Sequence, residues 1–141
     1  MKTLIIYYSY SGKTKAFAEK KALELNAETY EVTEKKNRST FNAYVFGSFA
    51  AMKQKEADVN PITIDFEAYE ELIIAAPIWA GLPAPAINSV ISMLPPGKKV
   101  ELFLTSGSGK SSGEEKVKAL IIKKGCSVTG YHNIKGSEIE A

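Results

Sequence analysis

A short segment near the amino terminus carries the kinds of groups that bind phosphate. Its residues are Ser9, Tyr10, Ser11, Gly12, Lys13 and Thr14. The segment follows an apolar run at 4–8 and precedes a helical pattern, so it lies at the amino end of a predicted helix. The first N–H groups of a helix have no internal acceptor, and they carry the positive end of the helix dipole. Because serine and threonine hydroxyl groups and a turn-forming glycine lie beside them, the segment predicts a site for a phosphate-bearing ligand.

Two later segments of small and hydroxyl-bearing residues follow apolar strands in the same way. Residues 77–82 come after the run 71–76, and residues 105–113 come after the run 100–104. In a wound parallel sheet, ligands bind outside the carboxyl ends of the strands, so we expect the three segments to converge on one site. The further candidate site residues are Pro77, Ile78, Trp79, Ala80, Gly81, Thr105, Ser106, Gly107, Ser108 and Gly109.

Strands and helices alternate between these segments. The pattern predicts strands near 4–8, 28–32, 71–76, 100–104 and 126–132, and helices near 13–25, 39–55, 83–94 and 113–124. Pro77 is expected to end the third strand, and Pro83 and Pro85 are expected in the first turn of the next helix. The alternation predicts one doubly wound α/β domain over residues 1–141, with helices on both faces of a parallel sheet.

Composition and charge exclude several classes of function. The chain has 141 residues, 45% of them hydrophobic and 24% charged, as in an ordinary globular domain. A net charge of +2 with scattered lysines gives no electrostatic basis for nucleic-acid binding. Because no apolar run is long enough for a membrane span and no signal-peptide cleavage site follows the first run, we expect a cytoplasmic protein. Cys126 is expected to be a small buried apolar side chain and not part of a metal cluster.

Two other phosphate-binding motifs fail on spacing. Residues 12–14 end like a P-loop, but Tyr7 stands at the position of its first glycine. Residues 109–111 fail in the same way, because Leu104 stands at that position. No GxGxxG turn follows the first strand, which disfavours a dinucleotide site.

Two enzyme classes with a similar topology lack their reactive groups here. A phosphoacceptor receiver domain needs acidic residues at the ends of the first and third strands, where Ser9 and Pro77 stand. A low-molecular-weight tyrosine phosphatase needs a cysteine and an arginine in the first loop, whereas Cys126 and Arg38 lie elsewhere. The one histidine, His132, has no GxSxG nucleophile to act on, and we interpret it as a strand-end residue. We therefore predict no catalytic side chain.

The remaining pattern resembles the flavodoxin family in three segments. Residues 9–14 match the family's phosphate-loop form, S/T-x-S/T-G-x-T. Residues 76–81 look like the loop that lies along the flavin ring, and residues 103–109 are similar to the second flavin loop. The resemblance implies a five-stranded sheet in the order 2-1-3-4-5 and a non-covalently bound FMN cofactor.

The resemblance also implies roles for individual residues. The FMN phosphate would lie on residues 9–14, and Trp79 would offer a flat face to the ring. Hydrogen bonds to the N5, O4 and O2 edges of the ring would come from the backbone N–H groups of Ala80, Gly81, Ser106 and Gly107. Gly81 and Gly107 would also allow a peptide rotation that follows the redox state. The outer face of the ring would be open, stacked by Tyr10, or covered by an aromatic residue of segment 44–49.

Three functions fit this resemblance. The first is electron transfer by an FMN-binding protein to a redox partner protein or a small-molecule acceptor. The second is an FMN-dependent NAD(P)H:quinone-type oxidoreductase, although no nicotinamide motif is visible. The third is a non-redox domain that keeps the fold and binds another phosphorylated ligand. Typical flavodoxins are strongly acidic, so the net charge of +2 argues against the acidic docking face of a typical carrier.

The carboxyl-terminal part departs from the family's pattern. We expect the chain to lack the final helix that in this family packs beside the first, which would leave one sheet face uncovered over the third to fifth strands. We expect Ser127, Thr129, Tyr131 and Asn133 to point to one face, opposite Cys126 and Val128. In the fourth strand, Phe103 shares a face with Glu101. A homodimer through this open face is therefore a hypothesis.

Overall fold

The computed structural model describes residues 2–35, 50–51 and 53–139. Five parallel strands run through these residues: β1 (Thr3–Tyr7), β2 (Glu28–Glu31), β3 (Glu71–Trp79), β5 (Lys99–Ser106) and β6 (Ser127–Lys135). A short strand, β4 (Leu82–Pro83), pairs antiparallel with β3. The helices are α1 (Lys13–Leu25), α2 (Pro85–Ser92) and α3 (Glu114–Lys123). The spatial order β2-β1-β3-β5-β6 confirms the predicted order of the five parallel strands.

The sheet separates two apolar layers. On one face, Ile5, Ile73 and Phe103 pack with residues of α1. On the other face, the apolar side chains of the sheet pack with Ile87 of α2 and Ile121 of α3. The central strands are apolar on both sides because helices cover both, as predicted for a doubly wound sheet.

Short-range signals explain where the helices begin and end. Asn26 closes α1 in the left-handed conformation, with φ of 51°, and its N–H donates to the Ala22 carbonyl. Pro85 occupies the first turn of α2, where a missing N–H costs nothing. Glu114 and Glu115 lie in the first turn of α3 and Lys123 lies in its last turn, so both ends of that helix complement its dipole.

β3 is longer than predicted, because it continues through Pro77, Ile78 and Trp79. The Pro77 carbonyl accepts a hydrogen bond from the Ala84 N–H at 3.0 Å, on the side where β1 has already ended opposite Ala75. The N–H and C=O of one strand residue point to the same neighbouring strand. The N–H that proline lacks would therefore point away from β5, so Pro77 removes no hydrogen bond between β3 and β5. The prediction that Pro77 ends the strand was therefore wrong.

Two further boundaries differ from the prediction. Pro83 lies in β4 and not in the first turn of a helix. Thr105 and Ser106 belong to β5, because β6 runs alongside as far as Lys135. β6 extends to Lys135, so His132 lies inside this strand. The prediction that His132 is a strand-end residue was wrong.

The predicted helix at 39–55 lies mostly outside the described residues. Residues 50 and 51 are helical, and residues 53 and 54 form a turn. The helix therefore ends earlier than predicted. Arg38 and the aromatic segment 44–49 are also outside the described residues. No helix among the residues that are described is long and apolar enough to cross a membrane.

A β-bulge changes which side chains of β6 face the core. Val128 lies opposite Val100, whereas Gly130 lies opposite Glu101, so Thr129 is an extra residue between them. As a result, Tyr131 pairs with Leu102 and packs on the same apolar layer as Val128. The predicted alternation, which set Tyr131 and Asn133 on the face opposite Val128, was wrong because one extra residue reverses every later side chain.

α1 packs on one face of the sheet, and side chains of this protein cover much of the rest of that face around Phe103. Phe103 and Glu101 share this face, as predicted, but Phe103 is only 7% exposed. The His132 ring stacks on Phe103 with centroids 4.5 Å apart, and its Nε2 lies 2.8 Å from Glu101 Oε2. The Lys21 ammonium lies 5.0 Å from the Phe103 ring centroid on the α1 side.

After β6 the described chain forms a short 3-10 turn, Gly136–Glu138, and ends on the buried Ile139. Among the described residues that follow β6, up to residue 139, there is no α-helix. Because Phe103 is nearly covered, this face offers little apolar surface to a second copy, and the homodimer stays a prediction.

Candidate functional site

The first predicted segment forms a turn that delivers the chain into α1. The Ser9 hydroxyl oxygen accepts a hydrogen bond from the Gly12 N–H at 3.1 Å. Gly12 has φ of 97°, a left-handed conformation that glycine adopts without steric cost, and space is open where a side chain would begin. The conformation of the turn by itself therefore explains the serine at position 9 and the glycine at position 12.

The amino end of α1 has the properties of an anion site. Its N-cap residue, Gly12, has no side chain to cap it, its first turn contains no acidic residue, and the helix begins at the exposed Lys13. The first N–H groups therefore keep their positive partial charge for a ligand. A phosphate group matches this donor set in charge and in hydrogen-bonding capacity.

A buried pair of hydroxyl groups joins the first segment to the third. Thr14 Oγ1 and Thr105 Oγ1 are 2.8 Å apart, and the two residues are 2% and 4% exposed. One hydroxyl donates to the other, so only one of the two protons remains for any other acceptor. The Thr14 hydroxyl was predicted as one of several donors to phosphate, and the structure shows that it also fixes α1 against the end of β5.

Aromatic rings join the first segment to the second. The Trp79 ring makes an edge contact with Tyr10, with centroids 5.8 Å apart and an interplanar angle of 83°. It makes a similar contact with Tyr8 at 6.0 Å, and the Tyr8 hydroxyl donates to the Glu34 carboxylate. Because the Tyr10 and Trp79 planes are nearly perpendicular, these two rings do not form parallel walls around a flat ligand.

The second segment is a hairpin and not an irregular loop. Ile78 pairs with Pro83 and Trp79 pairs with Leu82, so Ala80 and Gly81 alone form the turn. The hairpin is fixed to the third segment, because the Gly81 carbonyl accepts from the N–H groups of Ser112 and Gly113 at 3.1 and 3.2 Å.

The third segment is organised by its serines. The Ser106 hydroxyl oxygen accepts from the N–H groups of Gly109 and Lys110, at 2.9 and 3.2 Å. Gly109 takes a positive φ of 73°, whereas the exposed Gly107 does not need one. The N–H groups of Gly109 and Lys110 are therefore used inside the loop.

Residue 111 ties this loop to β6. The Ser111 hydroxyl donates to Asn133 Oδ1 at 2.7 Å and lies 3.1 Å from the Tyr131 hydroxyl. Burial raises the pKa of Tyr131 above its ordinary value, and Glu114 adds to this rise, whereas the Ser111 hydrogen bond and Lys118 oppose it. Tyr131 is thus held as a neutral hydrogen-bonding group beside the site.

The predicted site residues thus lie on neighbouring strands and are joined by specific contacts. Thr14 meets Thr105, Tyr10 meets Trp79, and Gly81 meets residues 112–113. Two residues with contacts to these segments were not among the named candidates. Tyr8 was interpreted only as the end of an apolar run. Ser112 lies in the predicted segment 105–113, but it contributes a backbone N–H, for which a sequence carries no side-chain signal.

Comparisons with known proteins agree with this fold. A family model described as flavodoxin matches residues 2–130. A flavoprotein of Lactobacillus acidophilus NCFM, solved in complex with FMN, is 26% identical over 92% of this chain and 91% of that chain, with a TM-score of 0.77. The apo form of the flavoprotein from the same organism is 28% identical over 93% and 91%, with a TM-score of 0.69. Two-electron reduced Megasphaera elsdenii flavodoxin shares the fold at 18% identity over 95% and 86%, with a TM-score of 0.61. No curated protein sequence matches the chain.

Proposed function

Because the chain belongs to the flavodoxin family, we propose that it binds FMN non-covalently and transfers electrons between other redox partners. The observation that carries this proposal is the joining of three segments by two side-chain contacts. Thr14 is bonded to Thr105, and Tyr10 contacts Trp79, so an uncapped helix end and an aromatic hairpin belong to one site. A phosphate group and a flat ring in one ligand match these two parts.

The phosphate of the ligand is assigned to the amino end of α1. Its charge of about −1.5 to −2 at neutral pH is stabilised by the free N–H groups of the first turn and by the dipole of α1. The side chain of Lys13 is exposed at the same end and adds a positive charge. The hydroxyl pair Thr14–Thr105 holds this turn in place for the ligand.

The ring of the ligand is assigned to the space bounded by the hairpin and the third segment. Trp79 supplies apolar contact area, and the turn residues Ala80 and Gly81 supply backbone groups. The loop at 107–109 directly follows β5, and we assign it to the other side of the same space. The flavin itself supplies the electron chemistry, and these residues bind it, orient it and limit its access to water.

The charges beside the site favour a partner with an acidic surface. Lys135 lies opposite Ser106 in the sheet, and Gly109 packs against its Cβ. Lys13, Lys110 and Lys135 are exposed, and they form no ion pair with any of the described residues. Lysines that are not neutralised attract negative groups during encounter, so docking should weaken as salt concentration rises.

Titration of the purified apo-protein with FMN and with riboflavin tests the cofactor assignment. We expect saturable quenching of flavin fluorescence by both ligands, with tighter binding of FMN because riboflavin lacks the phosphate. A protein that binds neither ligand contradicts the proposal. Equal affinity for both ligands contradicts the assignment of the phosphate to α1.

Reduction of the FMN-loaded protein by NADPH alone tests the role in electron transfer. A carrier should be reduced slowly by NADPH and rapidly by a reductase partner. Fast reduction by NADPH alone, with turnover of a quinone, would instead assign the oxidoreductase function. FMN-independent binding of another phosphorylated ligand would assign the non-redox function.

The charge assignment has a separate test with small oxidants. The reduced protein should be oxidised faster by anionic ferricyanide when Lys110 and Lys135 are present than in the variant Lys110→Glu/Lys135→Glu. The control Lys2→Glu/Lys123→Glu changes the net charge equally on exposed residues at the opposite end of the fold. If both variants slow the oxidation by ferricyanide to the same extent, the assignment of an electrostatic role to the lysines beside the site is contradicted.

A further inference from the structure

A second cavity lies on the α1 face of the sheet, between α1 and the end of the described chain. Its lining comes from α1, from β6 and from the 3-10 turn that follows β6, and none of the predicted flavin-site residues lines it. The cavity has a volume of about 220 Å³. An apolar cavity of about 150 Å³ already holds benzene, whereas drug-sized ligands need about 300 Å³ or more. A volume between these limits suits a small metabolite and excludes a nucleotide.

The floor of this cavity is apolar. Phe17 and Ile134 pack against the core cluster of the α1 face, but they are only partly buried, so part of each side chain faces the cavity. Ile139 is 8% exposed and closes the cavity from the side of the turn. The turn, Gly136–Glu138, has three residues and is too short to cover these side chains as a packed helix would. An apolar group of a ligand would remove this surface from water, which favours binding.

The rim of the cavity carries two lysines and two glutamates. Lys21 pairs with Glu24 at 3.7 Å, and its ammonium lies over the Phe103 ring, so this pair adds no net charge to the rim. The other two charged residues stand on different walls, because Lys20 belongs to α1 and Glu138 belongs to the turn. Both are exposed. The rim therefore offers one positive and one negative group beside an apolar floor.

This arrangement of charges discriminates between small ligands. A simple apolar carboxylate has no group for Glu138 and is repelled by it, and a simple apolar amine stands in the same relation to Lys20. A ligand that carries both an ammonium and a carboxylate group forms a charge-assisted hydrogen bond at each of the two walls. An α-amino acid has both groups on one carbon atom, and an aliphatic or aromatic side chain supplies the apolar part within the available volume.

We propose that this cavity binds a free α-amino acid with an apolar side chain, such as leucine or phenylalanine. The ligand carboxylate pairs with Lys20, the ligand ammonium group pairs with Glu138, and the ligand side chain lies against Phe17, Ile134 and Ile139. The proposal does not depend on the flavin site, because none of the residues that bind the amino acid is assigned to FMN.

Titration of the isotope-labelled apo-protein, followed by its amide signals in two-dimensional NMR, tests the ligand class. The probes are phenylalanine, leucine and three fragments that each lack one part: glycine, phenylethylamine and 3-phenylpropionate. We expect saturable shifts around Phe17, Ile134 and Ile139 with both apolar amino acids. The dissociation constant should be on the order of 1 mM or lower for a ligand of about twelve non-hydrogen atoms. Each fragment should bind at least about fivefold more weakly, as expected for the loss of one exposed ion pair or of the apolar part.

Three results of this titration overturn the proposal. The first is the absence of saturable shifts with either apolar amino acid. The second is a fragment that binds as tightly as phenylalanine. The third is a set of shifts confined to another part of the protein, which would assign the binding to a different site.

Two variants test the rim itself. Glu138→Gln and Lys20→Gln each remove one charge from an exposed side chain, and the amide spectrum reports whether the fold is kept. The matched controls are Glu115→Gln and Lys116→Gln, which remove the same charges from exposed residues of α3, on the other face of the sheet.

We expect each rim variant to weaken the binding of phenylalanine by about fivefold and each control to leave it unchanged. Glu138→Gln should not weaken the binding of 3-phenylpropionate, which has no ammonium group for this carboxylate. Equal effects of rim and control variants overturn the proposal. A Glu138→Gln variant that loses affinity for phenylalanine and for 3-phenylpropionate alike also overturns it, because the carboxylate would then act on the fold and not on the ligand.

Discussion

Replacing Thr105 by Val should leave the buried hydroxyl of Thr14 without its partner. The two oxygens are 2.8 Å apart, and both residues are at most 4% exposed, so water is not available to replace the lost hydrogen bond. A buried polar group left unpaired costs about 1–3 kcal/mol. Either single substitution, Thr14→Val or Thr105→Val, should therefore lower the free energy of unfolding by that amount.

The double variant distinguishes a hydrogen bond from simple packing. Replacing both hydroxyl groups by methyl groups removes both desolvation penalties, so Thr14→Val/Thr105→Val should be nearly as stable as the wild type. The coupling energy of the double-mutant cycle should then equal the sum of the two single losses, about 2–6 kcal/mol. Urea unfolding of the apo-protein, followed by circular dichroism, measures all four free energies, and a loss of this size moves the midpoint by about 1 M.

The control is Thr29→Val, an exposed threonine on the edge strand β2, which should change stability by less than about 0.5 kcal/mol. If the single substitutions cost no more than this control, the reasoning about the buried pair fails. It fails equally if the double variant loses the sum of the two single losses. Fluorescence titration adds a functional readout, because one lost hydrogen bond of about 1 kcal/mol at the anchor of α1 should weaken FMN binding by about fivefold.

Three further predictions concern the rest of the site. Trp79→Ala should weaken FMN binding by about tenfold or more in the same titration, because stacking adds on the order of 1 kcal/mol to the lost apolar contact, and Trp79→Phe should keep most of the affinity. Gly81→Ala should destabilise the protein by at least about 1 kcal/mol in urea, because φ is 85° and the new methyl group meets the Ser112 hydroxyl; unchanged stability would contradict the observed packing. The pKa of Tyr131 is raised by burial, so its contribution to stability is complete below about pH 10 and is lost as the pH rises through the folded pKa. The alkaline loss of stability should therefore be smaller in Tyr131→Phe than in the wild type, and equal losses would refute this.

Local patterns in the chain were sufficient to predict most of the fold. Continuous apolar runs such as 71–76 indicate strands that are covered on both faces, and the spacing of glycine and proline marks most of the turns. The strand order followed from the family resemblance and is confirmed. Boundaries failed where a neighbour decides them: Pro77 stays within β3 because β1 has ended beside it, and β5 extends to Ser106 because β6 accompanies it.

The bulge at Thr129 illustrates a limit of alternation as a signal. Polar and apolar residues alternate from 126 to 133, yet one extra residue reverses the faces after it. Nothing in the composition of the strand marks this residue, since the bulge depends on pairing with β5. The bulge also affects the candidate site, because it turns the Tyr131 side chain to the face on which its hydroxyl contacts Ser111.

By itself, the sequence determined the chemistry of the first segment and its place at the start of a helix, because capping, glycine conformation and helix dipole are properties of neighbouring residues. It also determined which three segments meet, since parallel strands bring their carboxyl ends to one edge. Only the tertiary structure decided how they meet. The Thr14–Thr105 bond joins residues 91 positions apart, and the Gly81 carbonyl is held by backbone N–H groups that any residue would provide. Such contacts depend on distance in space, and so they leave no pattern along the chain.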